Sequence, residues 1–333
     1  MSILARTLRD RGIVTEQQIQ EAVQHQVLYG GRLGTSLHEL GFITEKRLHE
    51  ALAKIHGMPP VEIDQHLVTP EVVGLVPKAM ASKHKVFPYR LRGQTLFLLM
   101  VDPNDHGAMA EVGFRLGYII RPLVVAEFRM IQLLHDYYGV DERWRFTDTH
   151  RPKPLVPKAM DPETAVKAFE KALTRDEVVD ALLGLCLHYF RRVIFFIVRQ
   201  PWLLGWAGAG EGMDQSLAES MRIPLDQPSV FQASTRDRTI FIGRLGSQEE
   251  NLRFLKTVAK RPNTNAAVFP IAVRGRVVNL VFGDSGASGN VKADLSELLV
   301  IVQQASRAYL RIIRRRVAET RRALHEGEPG SAQ

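Results

Sequence analysis

Near its N-terminus the sequence repeats itself at a spacing of 29 residues, as from Gly12 to Gly41, and no other feature constrains the fold more. Ile13-Val14-Thr15-Glu16 returns as Phe42-Ile43-Thr44-Glu45. A stretch that recurs at a fixed period is one supersecondary element given twice. Each copy carries a helix start. Thr15 with Gln18 makes a capping box, in which the hydroxyl accepts the amide three residues on and the glutamine reaches back. Ile19, Val23 and Gln26 then follow at helical spacing. Thr44 opens the second helix, with Leu48, Leu52 and Ile55 at the same offsets. Residues 1–58 are therefore expected to be a duplicated helical unit.

Residues 59–139 change character and predict a small α+β subdomain. Thr69-Pro70 is an N-cap and first-turn pair. Two β-rich runs, Lys85 to Leu91 and Thr95 to Val101, flank Gly93 as a hairpin does. A helix near His106–Leu116, a strand at Tyr118–Val125 and a helix ending near Tyr138 complete it. Residues 140–161 are polar and proline-bearing, which reads as a linker. Residues 162–320 make a second domain. It has a helix capped by Thr174 and Glu177, strands near Arg192–Val198, Trp202–Ala207 and Thr239–Gly243, and a helix capped by Ser247 and Glu250. A hairpin across Arg274-Gly275 and a long closing helix from about Ala293 follow. The expected fold class is α+β, with a disordered tail at 321–333.

The formal net charge is +8 over 333 residues, which raises the question of an anionic partner. Much of the excess lies in Arg307, Arg311, Arg314, Arg315, Arg316, Arg321 and Arg322. With no nucleic-acid motif beside it, this stripe reads as a solvated helix face, and nucleic acid is not the expected partner. A single cysteine, Cys186, excludes a disulfide framework within the chain and a multi-cysteine zinc site. No apolar run reaches the eighteen or so residues of a membrane helix. No secretory leader is recognisable either, so a cytoplasmic protein without a transmembrane segment is expected.

The duplication resembles the MshEN-type domain at the N-terminus of type II secretion and type IV pilus assembly ATPases. That unit reads RLGxx, two aliphatics, xxG, two aliphatics, xxxxLxxxLxxQ, twice, with a five-residue spacer. Here the copies span Ile3–Gln26 and Arg32–Ile55, and the likeness runs on through Gly57-Met58-Pro59, Val86-Phe87-Pro88, Asp102-Pro103, Gly117, Pro122 and Tyr138. The resemblance implies cyclic di-GMP as a ligand, each copy clasping one half. No other cofactor is expected, and no metal either, since the histidines include no His-x-x-x-His or His-Glu-x-x-His pair. The implied ligand residues are Arg32, Leu33, Gly34, Leu37, Gly41, Leu48 and Leu52 in the second copy. In the first they are Leu4, Leu8, Gly12, Ile19, Val23 and Gln26. An arginine pairs with phosphate or a guanine edge, a small residue lets backbone approach, and a glutamine supplies amide donors and acceptors. The copies depart from the pattern at Ile3 and Ala5, which replace the arginine and first glycine, and at Ile55, which replaces the glutamine. Losing one charge-assisted contact costs about 1.5–3 kcal/mol, so lost and retained binding both stay open. Arg6 is the nearest substitute for the missing arginine. The alternative reading of the leucines is plain helical core.

The second domain resembles a GAF domain through the hairpin VFPIAVRGRVVNLVFGD and the helix beginning ADLSELLVIVQQASRAYL. The implied architecture is an antiparallel sheet flanked by helices, a module that senses, docks or dimerises.

Catalytic chemistry is not evident. A phosphate-binding G-x-x-x-x-G-K-[ST] loop is missing, since the sequence has no Gly-Lys dipeptide, and no enzyme activity is expected. Gly208-Ala209-Gly210-Glu211-Gly212 reads as a flexible hairpin turn, and Gly283-Asp284-Ser285-Gly286 as another turn. His49 and His56 read as a surface face, and Asp102 to Asp105 as an ordinary turn. The expected function is that of a regulatory adaptor related to secretion or pilus machinery, recruited to inner-membrane components or a signalling partner and able to dimerise through the second domain. A dedicated cyclic di-GMP receptor and an enzyme hidden in the second domain are the alternatives.

Overall fold

The duplicated sequence folds as two interlocked pairs of helices. A computed structural model describes residues 3–61, 68–140, 158–258, 265–286 and 295–325. The chain divides into a first unit, residues 1–149 with 316–333, and a second, residues 150–315. In the first, α1 (Ile3–Asp10) and α2 (Glu16–Tyr29) form one copy, and α3 (Leu33–Glu39) and α4 (Glu45–Ile55) the other. Thr15 caps α2 with the full capping box, and Thr44 accepts from Arg47 N to cap α4. Gly12 and Gly41 take left-handed φ of 63° and 73° after the first helix of each copy, a turn that a side chain resists. Across the copies, α1 packs on α4 and α2 on α3, so each copy completes the other's core.

The rest of the first unit places α5 (Pro70–Gly74) and α6 (Lys78–His84) before β1 (Val86–Arg92) and β2 (Thr95–Met100). Then come α7 (His106–Leu116), β3 (Ile119–Val124) and α8 (Glu127–Tyr138). The sheet order is β1-β2-β3, antiparallel then parallel, so α7 serves as the crossover. Its core gathers Phe87, Leu96, Leu98, Leu99, Met130 and Leu134.

The second unit opens with α9 (Pro162–Lys171) and α10 (Arg175–Tyr189), the latter capped by Thr174. There follow β4 (Arg192–Arg199), β5 (Trp202–Gly210), α11 (Gln215–Ser220), β6 (Arg222–Pro224), α12 (Val230–Asp237), β7 (Phe241–Arg244) and α13 (Glu249–Val258). The hairpin of β8 (Asn265–Val273) and β9 (Arg276–Asp284) and the first part of the long α14 (Ser296–His325) close it, residues 316–325 of that helix belonging to the first unit. Arg274 and Gly275 have φ of 52° and 78°, as the hairpin's two-residue turn demands. Six strands lie in the order β6-β5-β4-β9-β8-β7, all neighbours antiparallel.

Several readings of the sequence need correction. Of the glycines at 208–212, Gly212 lies in the turn as expected, but Gly208 and Gly210 lie in β5. A Cβ on Gly205 would meet Ala218 O at 1.8 Å, and one on Gly208 would meet Met213 and Ala218 below 3 Å. These glycines let α11 lie against the strand. Asp284 does start a turn, its Oδ1 accepting Gly286 N at 2.8 Å. It is fully buried at the end of β9 and bound by Arg192, with Nη2 2.6 Å from Oδ2. Ser247 does not cap α13, whose first turn closes from Leu252 N to Gln248 O. Arg321–His325 are helical in α14, while residues 326–333 and most of the expected linker (141–157) lie outside the described residues. The arginine stripe on α14 is partly engaged. Arg311 Nη2 donates to Phe169 O (2.5 Å) and Ala172 O (3.1 Å), closing the end of α9.

Candidate functional site

The thirteen implied ligand residues divide sharply by burial. Leu8, Ile19, Leu37 and Leu48 are fully enclosed, and Leu4, Val23 and Leu33 nearly so, in one core shared by both copies. Leu52 packs on that core's edge. Gly34 serves helix packing: a Cβ there would meet Leu48 Cδ1 at 2.9 Å and Leu4 Cδ2 at 3.2 Å, one neighbour from each copy. Ala5, its counterpart, is fully buried.

What remains for a ligand is the polar rim. Arg32 is the N-cap residue of α3, and its side chain is half exposed. Its Nη2 lies 3.8 Å from Asp102 Oδ2, a weak surface pairing that leaves the guanidinium edge open. Asp102 Oδ1 accepts Asn104 N at 3.1 Å, and Asn104 Nδ2 lies 3.5 Å from His56 Nδ1. Burial lowers the His56 pKa; Asp102 opposes that shift and Arg32 adds to it. Arg32, Asp102, Asn104 and His56 thus share one patch beside Ile55, where the family's glutamine would stand. Asp105 caps α7 by accepting Ala108 N at 2.9 Å, so the Asp102–Asp105 turn positions both loop and helix.

The start of α3 is held from beneath. Glu127 Oε2 accepts Arg32 N at 2.6 Å and the Thr35 hydroxyl at 3.1 Å, although Glu127 is buried. His49 is likewise buried, contrary to its reading as a surface residue, and its Nε2 accepts Ala126 N at 3.1 Å at the head of α8. Accepting from an amide requires the neutral ring, and burial lowers the His49 pKa accordingly. Arg129 of α8 forms a two-pronged pair with Glu45. Burial pushes the Glu45 carboxyl up, yet the Arg129 hydrogen bond and charge outweigh it and hold the pKa below the usual value. Glu127 and Arg129 belong to a helix far away in sequence, and neither carries a motif that points to the repeat.

The first copy presents a different rim. Ile3, in Arg32's place, is mostly exposed. Gln26 Nε2 donates to Gly31 O at 2.7 Å, so the amide closes the turn between the copies. Arg6, the substitute for the lost arginine, donates through Nη2 to Ala323 O (3.0 Å), and Arg9 Nη1 donates to Leu324 O (2.7 Å). Leu324 is buried in the shared core, and Glu16 takes Arg321 Nε (3.1 Å) and His325 (3.2 Å).

In the second unit the interior beside the sheet is filled by Phe196, Phe231, Phe254 and Phe282, packed edge-on or tilted at 4.8–6.3 Å between centroids. Its buried amides are engaged: Asn251 Oδ1 accepts Val230 N, and Asn279 Nδ2 donates to Phe196 O. Cys186 is buried on α10, which pushes its thiol pKa up to about 12. Among the described residues no group of three or more His, Cys, Asp or Glu could hold a metal ion, and no helix is long and apolar enough to cross a membrane.

The MshEN domain family matches residues 56–144, a span that starts where the second copy ends. The chain is 33% identical over 136 residues to the type IV pilus assembly ATPase PilB of Myxococcus xanthus, covering 41% of this chain and 24% of that protein. The chain therefore spans about a quarter of that relative's length. It is similar to a structure of MshE with cdg (cyclic di-GMP), at 29% identity and a TM-score of 0.34, covering 41% of this chain and all of that one. It is also similar to the GAF domain/HD domain protein from Geobacter sulfurreducens, at 19% identity and a TM-score of 0.34, covering 45% of this chain and 97% of that one. From fold and comparison together, the chain carries an MshEN domain at residues 56–144, homologous to the N-terminal region of PilB and MshE.

Proposed function

We propose that the chain is a regulatory adaptor for pilus or secretion machinery whose first unit reads cyclic di-GMP through the second copy alone. The observation that carries this reading is the rim around Arg32, whose guanidinium stands half exposed while Glu127 fixes the backbone beneath it. Such an arrangement grips a phosphate or a guanine edge without reorganising. The first copy offers no equivalent charge, because Arg6 and Arg9 are spent on the α14 carbonyls. A half-clasp binds more weakly than a full one by roughly tenfold or more for each missing charge-assisted contact. The filled interior of the second unit supports a docking or dimerising role there over catalysis, with the chain working in the cytoplasm beside inner-membrane components.

Isothermal titration of the full chain with cyclic di-GMP tests this, with Arg32→Ala as the control. Micromolar or weaker binding lost in Arg32→Ala supports the reading. Binding that ignores Arg32 overturns it. A dedicated receptor is the second reading, favoured by His56 and Asn104, which place hydrogen-bonding groups beside Arg32 where Ile55 offers none. Tight binding that falls in both Arg32→Ala and His56→Ala would select it.

A further inference from the structure

One row of residues across the first unit's sheet reads Arg90, Phe97, Arg121. Arg90 pairs with Phe97 in the β1–β2 register, and Phe97 with Arg121 in the β2–β3 register. Residues opposite in register share a face, so all three stand together. Two positions along, the same face carries Arg92, Thr95 and Ile119. The guanidinium carbons of Arg90 and Arg121 lie 4.7 and 5.9 Å from the Phe97 ring centroid, one contributed from each flanking strand. Farther along the face Phe87, Leu99 and Leu123 are buried, Phe87 against Tyr137 and Tyr138 of α8. Helix α8 therefore covers one end and leaves the arginine end open, with Arg92, Ile119 and Arg121 exposed.

These guanidiniums have no acidic partner among the described residues. Glu111 on nearby α7 is already shared by Lys83, His84 and Arg115. The Nε of Arg90 is buried without a hydrogen-bond acceptor among the described residues. Arginines stacked on an aromatic ring are held in place with their edges outward, and a guanidinium edge matches a carboxylate with two parallel hydrogen bonds. We propose that this strip docks an acidic segment of a partner protein, whose carboxylates are taken by Arg90, Arg92 and Arg121. Arginine and aromatic residues without lysine are the composition of a protein–protein contact. With a guanidinium from each neighbouring strand beside it, Phe97 is poorly placed to stack a nucleobase, which argues against single-stranded nucleic acid. A sheet strip with one exposed aliphatic side chain also lacks the apolar helix face with which proteins enter a lipid surface. The inference stands whether or not cyclic di-GMP binds.

Fluorescence anisotropy of a labelled peptide of alternating Asp and Glu, titrated with the full chain, tests it. Arg121→Gln and Arg92→Gln are expected to weaken binding about tenfold each, the loss of one charge-assisted contact. Phe97→Leu keeps every charge and removes the stack, and is expected to weaken binding severalfold. Arg322→Gln on α14 leaves it unchanged. Absence of peptide binding overturns the proposal, as does an equal loss in Arg322→Gln, which would mean that overall charge alone is read. Binding to phosphatidylglycerol vesicles that depends on Arg121, without binding to the peptide, also overturns it.

Discussion

The two copies of the 29-residue unit share one core and differ in what they hold at the rim. The second copy receives the beginning of a helix: His49 accepts the amide of Ala126, and Glu45 binds Arg129 in the first turn of α8. The first copy receives the end of a helix: Arg6 and Arg9 bind the carbonyls of Ala323 and Leu324, and Glu16 binds Arg321 and His325. Glu16 and Glu45 are equivalent positions, each engaged by an arginine from a distant helix. The polar partners around them answer opposite helix ends, since positive side chains suit a C-terminus and an acceptor suits an N-terminus. The lesson is that packing positions of a duplicated unit stay interchangeable, whereas rim positions are free to specialise. One copy has kept an arginine facing outward. The other has spent its arginines on the chain itself.

The largest expected effect tests the shared core. Leu37→Ala and Leu8→Ala should each destabilise the first unit by about 2–5 kcal/mol, as enclosed leucines do. Denaturant unfolding followed by hydrogen exchange over residues 3–55 checks this. A marked asymmetry between the two would break the equivalence of the copies. Next comes the rim. Ile3→Arg restores the missing arginine and should strengthen cyclic di-GMP binding by up to about tenfold in calorimetry, with unchanged folding. No gain would mean that the α14 end blocks the first copy whatever residue 3 is.

Acid should separate the copies next. His49 has a folded pKa below its ordinary value, so the unfolded chain binds the proton first and stability falls as pH drops below about 6.5. The slope reaches at most about 1.4 kcal/mol per pH unit. Gln20 occupies the matching position of the first copy and does not titrate. Glu16 and Glu45, both held below the usual carboxylate value, stabilise above about pH 4.5 and lose that contribution only on further acidification. Denaturation midpoints between pH 7 and 5 should therefore fall less steeply in His49→Gln than in the wild type. The smallest effect is that of Arg9→Ala, about 1 kcal/mol, read as faster exchange of the amides near Leu324.

Much of the fold was legible because local chemistry decided it. Thr15, Thr44 and Thr174 cap where their spacing said they would, and Arg274-Gly275 turns its hairpin. What stayed hidden depended on distant partners. Gly205 and Gly208 look like loop residues until α11 lies on them. The short β6, α11 and α12 carry too few residues for a periodic signal. The direction of β3 is fixed by α7 acting as a crossover, which hairpin reasoning does not supply. At the site, the family resemblance pointed to Arg32. Glu127 and His49 lie on opposite sides of a contact that only the folded chain makes.

The bond between Arg9 and the Leu324 carbonyl spans 315 positions of sequence. A ribosome adding roughly 5–20 residues per second needs on the order of 15–60 s to travel that distance. Throughout that interval α1 and α2 exist without the leucine that fills their shared core, and the face awaiting it is open to water. These helices are thus finished only when residues some 315 positions later have been made, and a chaperone that shelters apolar helix faces has a long opportunity there.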